Sequence, residues 1–257
     1  MIVYLISAAI ALAVLLLGEK LLPNETKEVY EEKGYDWNKV IIYSSVAGIT
    51  GGLLSTLVIM KTGMPSELNP FLLPFATTVT AYIAIQSLMT DLKVLLINRF
   101  VLRVAYISMY LISIYNIATN ELFSQNMLAL VIFTIALVII FIFAPIGASD
   151  IRALAVALPY TISVGGYLGI QMLIFTLFVV AFFMYLHRRK KINKELKVFK
   201  VNHKDMYEEM GEKAFNRAAR KTIKHQFDTS EEHAVPVGPF MIMPFLVFLI
   251  IYPIIIM

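Results

Sequence analysis

The chain has 257 residues, 59% apolar and 16% charged, with a mean hydropathy of +0.75, against roughly 25% charged residues in an average soluble protein. So few charges cannot coat a fold of this size in water, which excludes a soluble globular domain and makes lipid the solvent for most of the chain. The lack of cysteine excludes disulfides, a thiol nucleophile and cysteine-ligated metal centres, and most of the basic excess behind the net charge of +4 lies near the C-terminus.

About 20 apolar helical residues cross the hydrocarbon core. Seven charge-free runs approach or exceed that length: 1–18, 40–60, 68–90, 104–120, 122–149, 153–186 and 234–257. The first has no basic residue before it and no clear small-residue cleavage site after it, so a span is expected rather than a secretory signal. The sixth is too long for one span and is interrupted by Pro159 and the pair Gly165 and Gly166, which predicts two spans, the one at about 151–163 being short. The expected fold is an all-α polytopic membrane protein of about eight transmembrane helices.

Basic loops stay cytoplasmic. Lys20, Lys27, Lys33 and Lys39 follow span one, Lys93, Arg99 and Arg103 lie between spans three and four, and Arg152 follows span five, while the alternate loops carry only Lys61. The N-terminus is therefore expected outside, in a cell membrane. With eight spans the polar stretch 187–233, which holds 13 of the 22 Lys and Arg residues, also falls in the cytoplasm. Four regions follow: a two-helix membrane region, 1–67, with an acidic cytoplasmic loop at 19–39; a membrane core, 68–186; the basic segment 187–233; and a last span, 234–257. From about 203 to 226 the basic segment reads as an amphipathic helix at the membrane surface, with Met206, Met210, Ala214, Phe215 and Ala218 toward one side. Few aromatics accompany its charges, so no nucleic-acid partner is expected.

Ionisable groups at membrane depth are costly and mark function. All but two carboxylates lie in polar connections or close to an outer end; the exceptions are Asp91 and Asp150, each at the cytoplasmic end of an uncharged run. Each is followed two residues later by a base, Lys93 or Arg152, which on a helix is turned about 200° away and is expected to snorkel to the headgroups. Two carboxylates at equal depth suit acid and base work on a peptide bond, one ionised and one protonated, because close carboxylates cannot both ionise. All four histidines lie in the polar segment and no HExxH motif is present, which argues against a buried Ser/His hydrolase and a zinc protease. No metal or cofactor is expected. The two aspartates also suit a cation path in a transporter or channel.

Three segments carry a resemblance: TDLKVLLIN at 90–98, GASDIRALAVAL at 147–158 and VPVGPFMIMP at 235–244. They are similar to the Asp-x-Lys/Arg element, the GxGD-type element and the Pro-x-Gly-Pro-Phe element of the type IV prepilin peptidases. These are membrane aspartyl proteases that include the archaeal preflagellin peptidases. Order, spacing and an eight-helix plan agree over about 68–257. The resemblance implies catalytic roles for Asp91 and Asp150, with Gly147, Ser149, Lys93 and Arg152 as supporting motif positions. It also implies a substrate, a prepilin-like membrane protein whose short basic leader is cut at the cytoplasmic face during pilus assembly or protein secretion. Ser149 stands where the family has glycine, and no proline precedes Asn98. The zinc-binding Cys-x-x-Cys domain of many bacterial members is missing, so their N-methyltransferase activity is not carried over. Presenilin-type proteases share the two-aspartate logic but match these elements less well. The acidic residues Glu28, Glu31 and Glu32 are expected to attract a basic leader. Gly48, Gly51 and Gly52 are expected to pack span two against its neighbours. The oligomeric state is not legible.

Overall fold

The computed structural model of the protein describes residues 2–21, 31, 36–62, 69, 71–94, 99–119, 123–143, 148–229 and 238–255, and all regular structure among them is helical. The helices are α1 (Ile2–Lys20), α2 (Trp37–Thr62), α3 (Leu72–Val94), α4 (Arg99–Ala118), α5 (Phe123–Phe143), α6 (Ala148–Gly165), α7 (Tyr167–Asn202), α8 (Lys204–Met210), α9 (Glu212–Thr229) and α10 (Gly238–Ile255). Among the described residues four stretches are long and apolar enough to cross a membrane: Ile2–Lys20, Trp37–Lys61, Leu72–Thr90 and Phe100–Ala118. Shorter apolar helical stretches are Gln125–Ile139, Ala155–Gly165, Tyr167–Thr176 and Ile242–Ile251. The chain divides into two compact units, 1–176 with 236–257, and 177–235.

In the first unit α3 packs against α1, α2, α4, α6 and α10, and α6 packs against α3, α4, α5 and α10. Both are therefore enclosed. From Leu72 to Ala84 every residue of α3 is buried, and so is every residue of α6 from Val156 to Val164. The helices around them keep one apolar side outward, as Ile42, Val46, Leu53 and Leu57 of α2 and Val131, Ile135 and Val138 of α5 show. Lipid tails are as apolar as leucine, so helices associate in a bilayer through close approach and hydrogen bonds rather than through water exclusion. α2 uses both. A Cβ on Gly51 would lie 2.9 Å from Ala81 Cβ, and one on Gly52 would lie 2.9 Å from Ala8 Cβ, so these glycines let α2 touch α3 and α1. One turn on, the Ser55 and Thr77 hydroxyls pair at 2.9 Å.

The 153–186 run breaks where the glycine pair stands: α6 ends at Gly165, and Gly166, with φ 51°, turns the chain into α7. A side chain is disfavoured at that angle, and a Cβ there would also meet Asn126 Oδ1 at 2.7 Å. Asn126 Nδ2 and Asn116 Nδ2 donate to the Ser163 carbonyl at 3.0 and 3.3 Å, tying α5 and α4 to the end of α6. Pro159, inside α6, removes one backbone donor without ending the helix.

In the second unit α7 does not stop at Leu186. It continues through His187 and the basic run to Asn202, 36 residues in all, about 54 Å at the helical rise. The expected single amphipathic helix over 203–226 is also corrected. Gly211, at φ 73°, separates α8 from α9, and the buried stripe is Phe215, Ala219 and Ile223, packed against Ile192, Leu196, Phe199 and Tyr207. Met206, Met210, Ala214 and Ala218 are exposed instead. The apolar face of α9 is thus closed by the protein's own helix.

Candidate functional site

One buried carboxylate is Glu19, which the sequence assigns to a solvated loop. α1 runs on through Lys20, and Glu19 in its last turn is only 4% exposed. The Tyr82 hydroxyl donates to Glu19 Oε1 at 2.8 Å, and Gln86 Nε2 donates to the same oxygen at 2.6 Å. Tyr82 and Gln86 are four residues apart, one helical turn, and so present their polar ends to the same neighbour. Thr90, a further turn on, is buried and donates to the Gln86 carbonyl at 2.8 Å. A polar stripe at this spacing in a span is the sequence signal that a partner exists. It does not say that the partner is Glu19.

Asp91 follows Thr90 directly and lies in the last turn of α3, with Lys93 two positions on. Asp150 is corrected in place: α5, the helix of the expected fifth span, ends at Phe143, and Asp150 is the third residue of α6, with Ser149 before it and Arg152 after it. It therefore begins a helix rather than ending one, a position where the helix dipole favours a carboxylate. Gly147 lies outside the described residues.

The contacts order the helix ends. Ser7 near the start of α1 donates to the carbonyl of Phe71, just before α3, and Glu19 at the end of α1 meets Gln86 toward the end of α3, so the two helices run parallel. A Cβ on Gly18 would touch Val104 and Val101, near the start of α4. Trp37 and Val40, at the start of α2, pack with Met89. Asn116 and Ser163 join the far ends of α4 and α6, so these also run parallel and begin together. The end of α1, the start of α2, the end of α3 and the starts of α4 and α6 therefore share one end of the bundle. Asp91 and Asp150 both belong to that end, on its two enclosed helices, and Glu19 lies inside it.

The remaining expected positions are more scattered. Glu31 is helical and exposed, whereas Glu28 and Glu32 lie outside the described residues. Asp36 pairs with Lys39 at 3.4 Å on the surface, a contact of at most about 1 kcal/mol. Among the described residues no group of three or more His, Asp or Glu side chains is placed to hold a metal ion. Compared with protein-family models, with curated proteins and with solved structures, the chain gives no match.

Proposed function

We propose that the protein is an intramembrane aspartyl endopeptidase of the prepilin type, with about eight spans and with Asp91 and Asp150 at the cytoplasmic face. The observation that carries this reading is the placement of two aspartates at one end of the bundle on the two enclosed, mutually packed helices. In this mechanism one carboxylate, ionised, takes a proton from a water whose oxygen attacks the scissile carbonyl. The other, protonated, hydrogen-bonds the carbonyl oxygen. The tetrahedral diol then collapses, the C–N bond breaks, and the leaving nitrogen takes a proton, giving an acid and an amine. The substrate's apolar helix reaches the site by lateral diffusion, so only its leader junction needs water.

The test is cleavage of a prepilin-like substrate by the detergent-solubilised protein. Asp91→Asn and Asp150→Asn are each expected to lower the rate by about a thousandfold without loss of helicity. Cleavage that persists in both single variants sinks the mechanism. A second reading, a cation transporter or channel, is favoured by the polar interior of α3. There the hydroxyls of Thr78, Thr80 and Ser87 and the Oε1 of Gln86 are buried with no hydrogen-bond partner among the described residues, as groups that line a wet path are. Cation flux into liposomes, abolished by the same two substitutions, would establish it in place of the protease.

A further inference from the structure

The second unit is a helical hairpin with its charges sorted by position. The rings of Phe199 on α7 and Phe215 on α9 lie 5.9 Å apart, and Tyr207 on α8 meets Phe215 edge-on at 5.2 Å, so the chain turns back at α8. From Phe215 to Ile223 α9 advances about 12 Å, and from Phe199 back to Ile192 α7 spans about 10 Å; all four residues share one apolar cluster. The helices are therefore antiparallel, and the later part of α9 lies beside the 188–197 stretch of α7.

That register gathers like charges. Residues 187–200 hold seven Lys and Arg against Glu195 alone, and residues 213–224 hold five with no carboxylate, whereas Asp205, Glu208, Glu209 and Glu212 cluster around α8. Arg189, Lys190, Lys194 and Lys197 on α7 and Arg217, Arg220 and Lys221 on α9 are exposed. One end of the hairpin is thus basic and the turn end acidic.

We propose that the basic end is a binding surface for anionic phospholipid headgroups. The helix itself supplies the reason for lipid rather than another polyanion. Just before the basic run, Phe178, Phe182, Phe183, Tyr185 and Leu186 are exposed over a broad arc of α7, a surface that only a bilayer solvates, and its aromatic end marks the headgroup level. The same helix then carries the charges out of the hydrocarbon at that level. The apolar face of α9 is already spent on α7, so the attachment is electrostatic, not insertional, and salt weakens it. The surface is independent of the peptidase reading.

The cysteine-free chain allows one reporter dye on the full-length protein. With Thr222→Cys, at an exposed position of α9, energy transfer is measured in phosphatidylcholine nanodiscs to an acceptor on a minor lipid, phosphatidylglycerol or phosphatidylcholine at equal fraction. Several-fold preference for the phosphatidylglycerol acceptor at low salt, lost at high salt, is expected. Substituting Arg217→Gln, Arg220→Gln and Lys221→Gln together lowers it by about fivefold per charge, until none remains. A Met210→Cys reporter on α8, nearer the acidic turn, shows a smaller preference. Equal transfer to both acceptors at low salt, which the Thr222→Cys reporter reads without any charge substitution, overturns the proposal. So does a reporter that responds to a single-stranded oligonucleotide and not to lipid charge, which would make the surface one for nucleic acid.

Discussion

The Tyr82 hydroxyl and the Glu19 carboxylate meet at 2.8 Å across the α1 and α3 interface, at the end of the bundle to which Asp91 and Asp150 belong. With Gln86 on the same oxygen, Glu19 accepts two hydrogen bonds where water is scarce. Hydrogen bonds to a charged group are worth about 1.5 to 3 kcal/mol each, and a stranded buried donor costs a similar amount. Glu19→Ala is therefore expected to lower stability by about 3 kcal/mol or more. Glu19→Gln, which keeps an acceptor oxygen, loses about 1 kcal/mol. Unfolding of the detergent-solubilised protein by added SDS measures both. Equal losses in the two variants would refute the acceptor account, because glutamine keeps both the volume and an acceptor oxygen.

Close approach of α2 makes a graded prediction. An added methyl at Gly51 meets Ala81 Cβ at 2.9 Å and the Thr77 carbonyl oxygen at 3.1 Å, and at Gly52 it collides with Thr78 Oγ1 and meets Ala8 Cβ at 2.9 Å. Thr78 can rotate away, but Ala8, Ala81 and the backbone cannot. Gly51→Ala and Gly52→Ala should each cost about 1 to 3 kcal/mol, the usual range for overpacking. Gly48→Ala, whose nearest contact is 3.3 Å, should cost less than about 1 kcal/mol. The same SDS titration ranks the three, and a Gly48→Ala loss as large as the others would refute the packing account.

Much of this architecture is legible in the residues, for reasons that also mark where reading stops. Charge-free runs locate the apolar helices because a bare charge in hydrocarbon is costly, and Gly165 and Gly166 mark the break between α6 and α7. Hydropathy reports the solvent and not the hydrogen-bonding of the backbone, so nothing in Leu186 and His187 signals that α7 continues. Lys and Arg are good helix formers, and the helix simply runs on. Glu19 was hidden by its neighbours: flanked by Lys20 and an acidic stretch, it looks solvated until Tyr82 and Gln86 are seen to face it. On α9 two apolar phases compete, and Gly211 resets the helical register, so the phase containing Met206 and Met210 could not extend through Ala219 and Ile223. Asp91 and Asp150 stand out in the sequence because so few carboxylates adjoin a span. Their sharing one bundle end needed the long-range pairs Asn116 with Ser163 and Gly18 with Val101 and Val104.

The hairpin rests on one aromatic. Phe215 is 1% exposed and joins Phe199, Tyr207, Ile192 and Leu196 in a cluster of its own, so Phe215→Ala is expected to cost about 3 kcal/mol or more. Among the described residues of α8 and α9 only Ala219 and Ile223 are buried with it, and the loss should open α8 and α9 locally. Limited proteolysis should then cut within 204–229 many times faster than in the wild type, while SDS unfolding of the membrane helices is unchanged. Resistance equal to the wild type would mean that the cluster does not hold the hairpin together.

The acidic connection between α1 and α2 offers a kinetic prediction that rests on the peptidase reading. Glu31 is exposed, and with Glu28 and Glu32 it forms a local excess of negative charge that attracts a basic leader before any close contact forms. Changing all three to lysine is expected to raise KM for a basic-leader substrate by about tenfold at low ionic strength, with kcat unchanged. The difference should vanish as salt shortens the Debye length to about 3 Å near 1 M. A substrate whose leader is neutral should show no effect at any salt. If cleavage of the basic-leader substrate at low salt is the same before and after charge reversal, these glutamates are a solvated loop and the leader is recognised elsewhere.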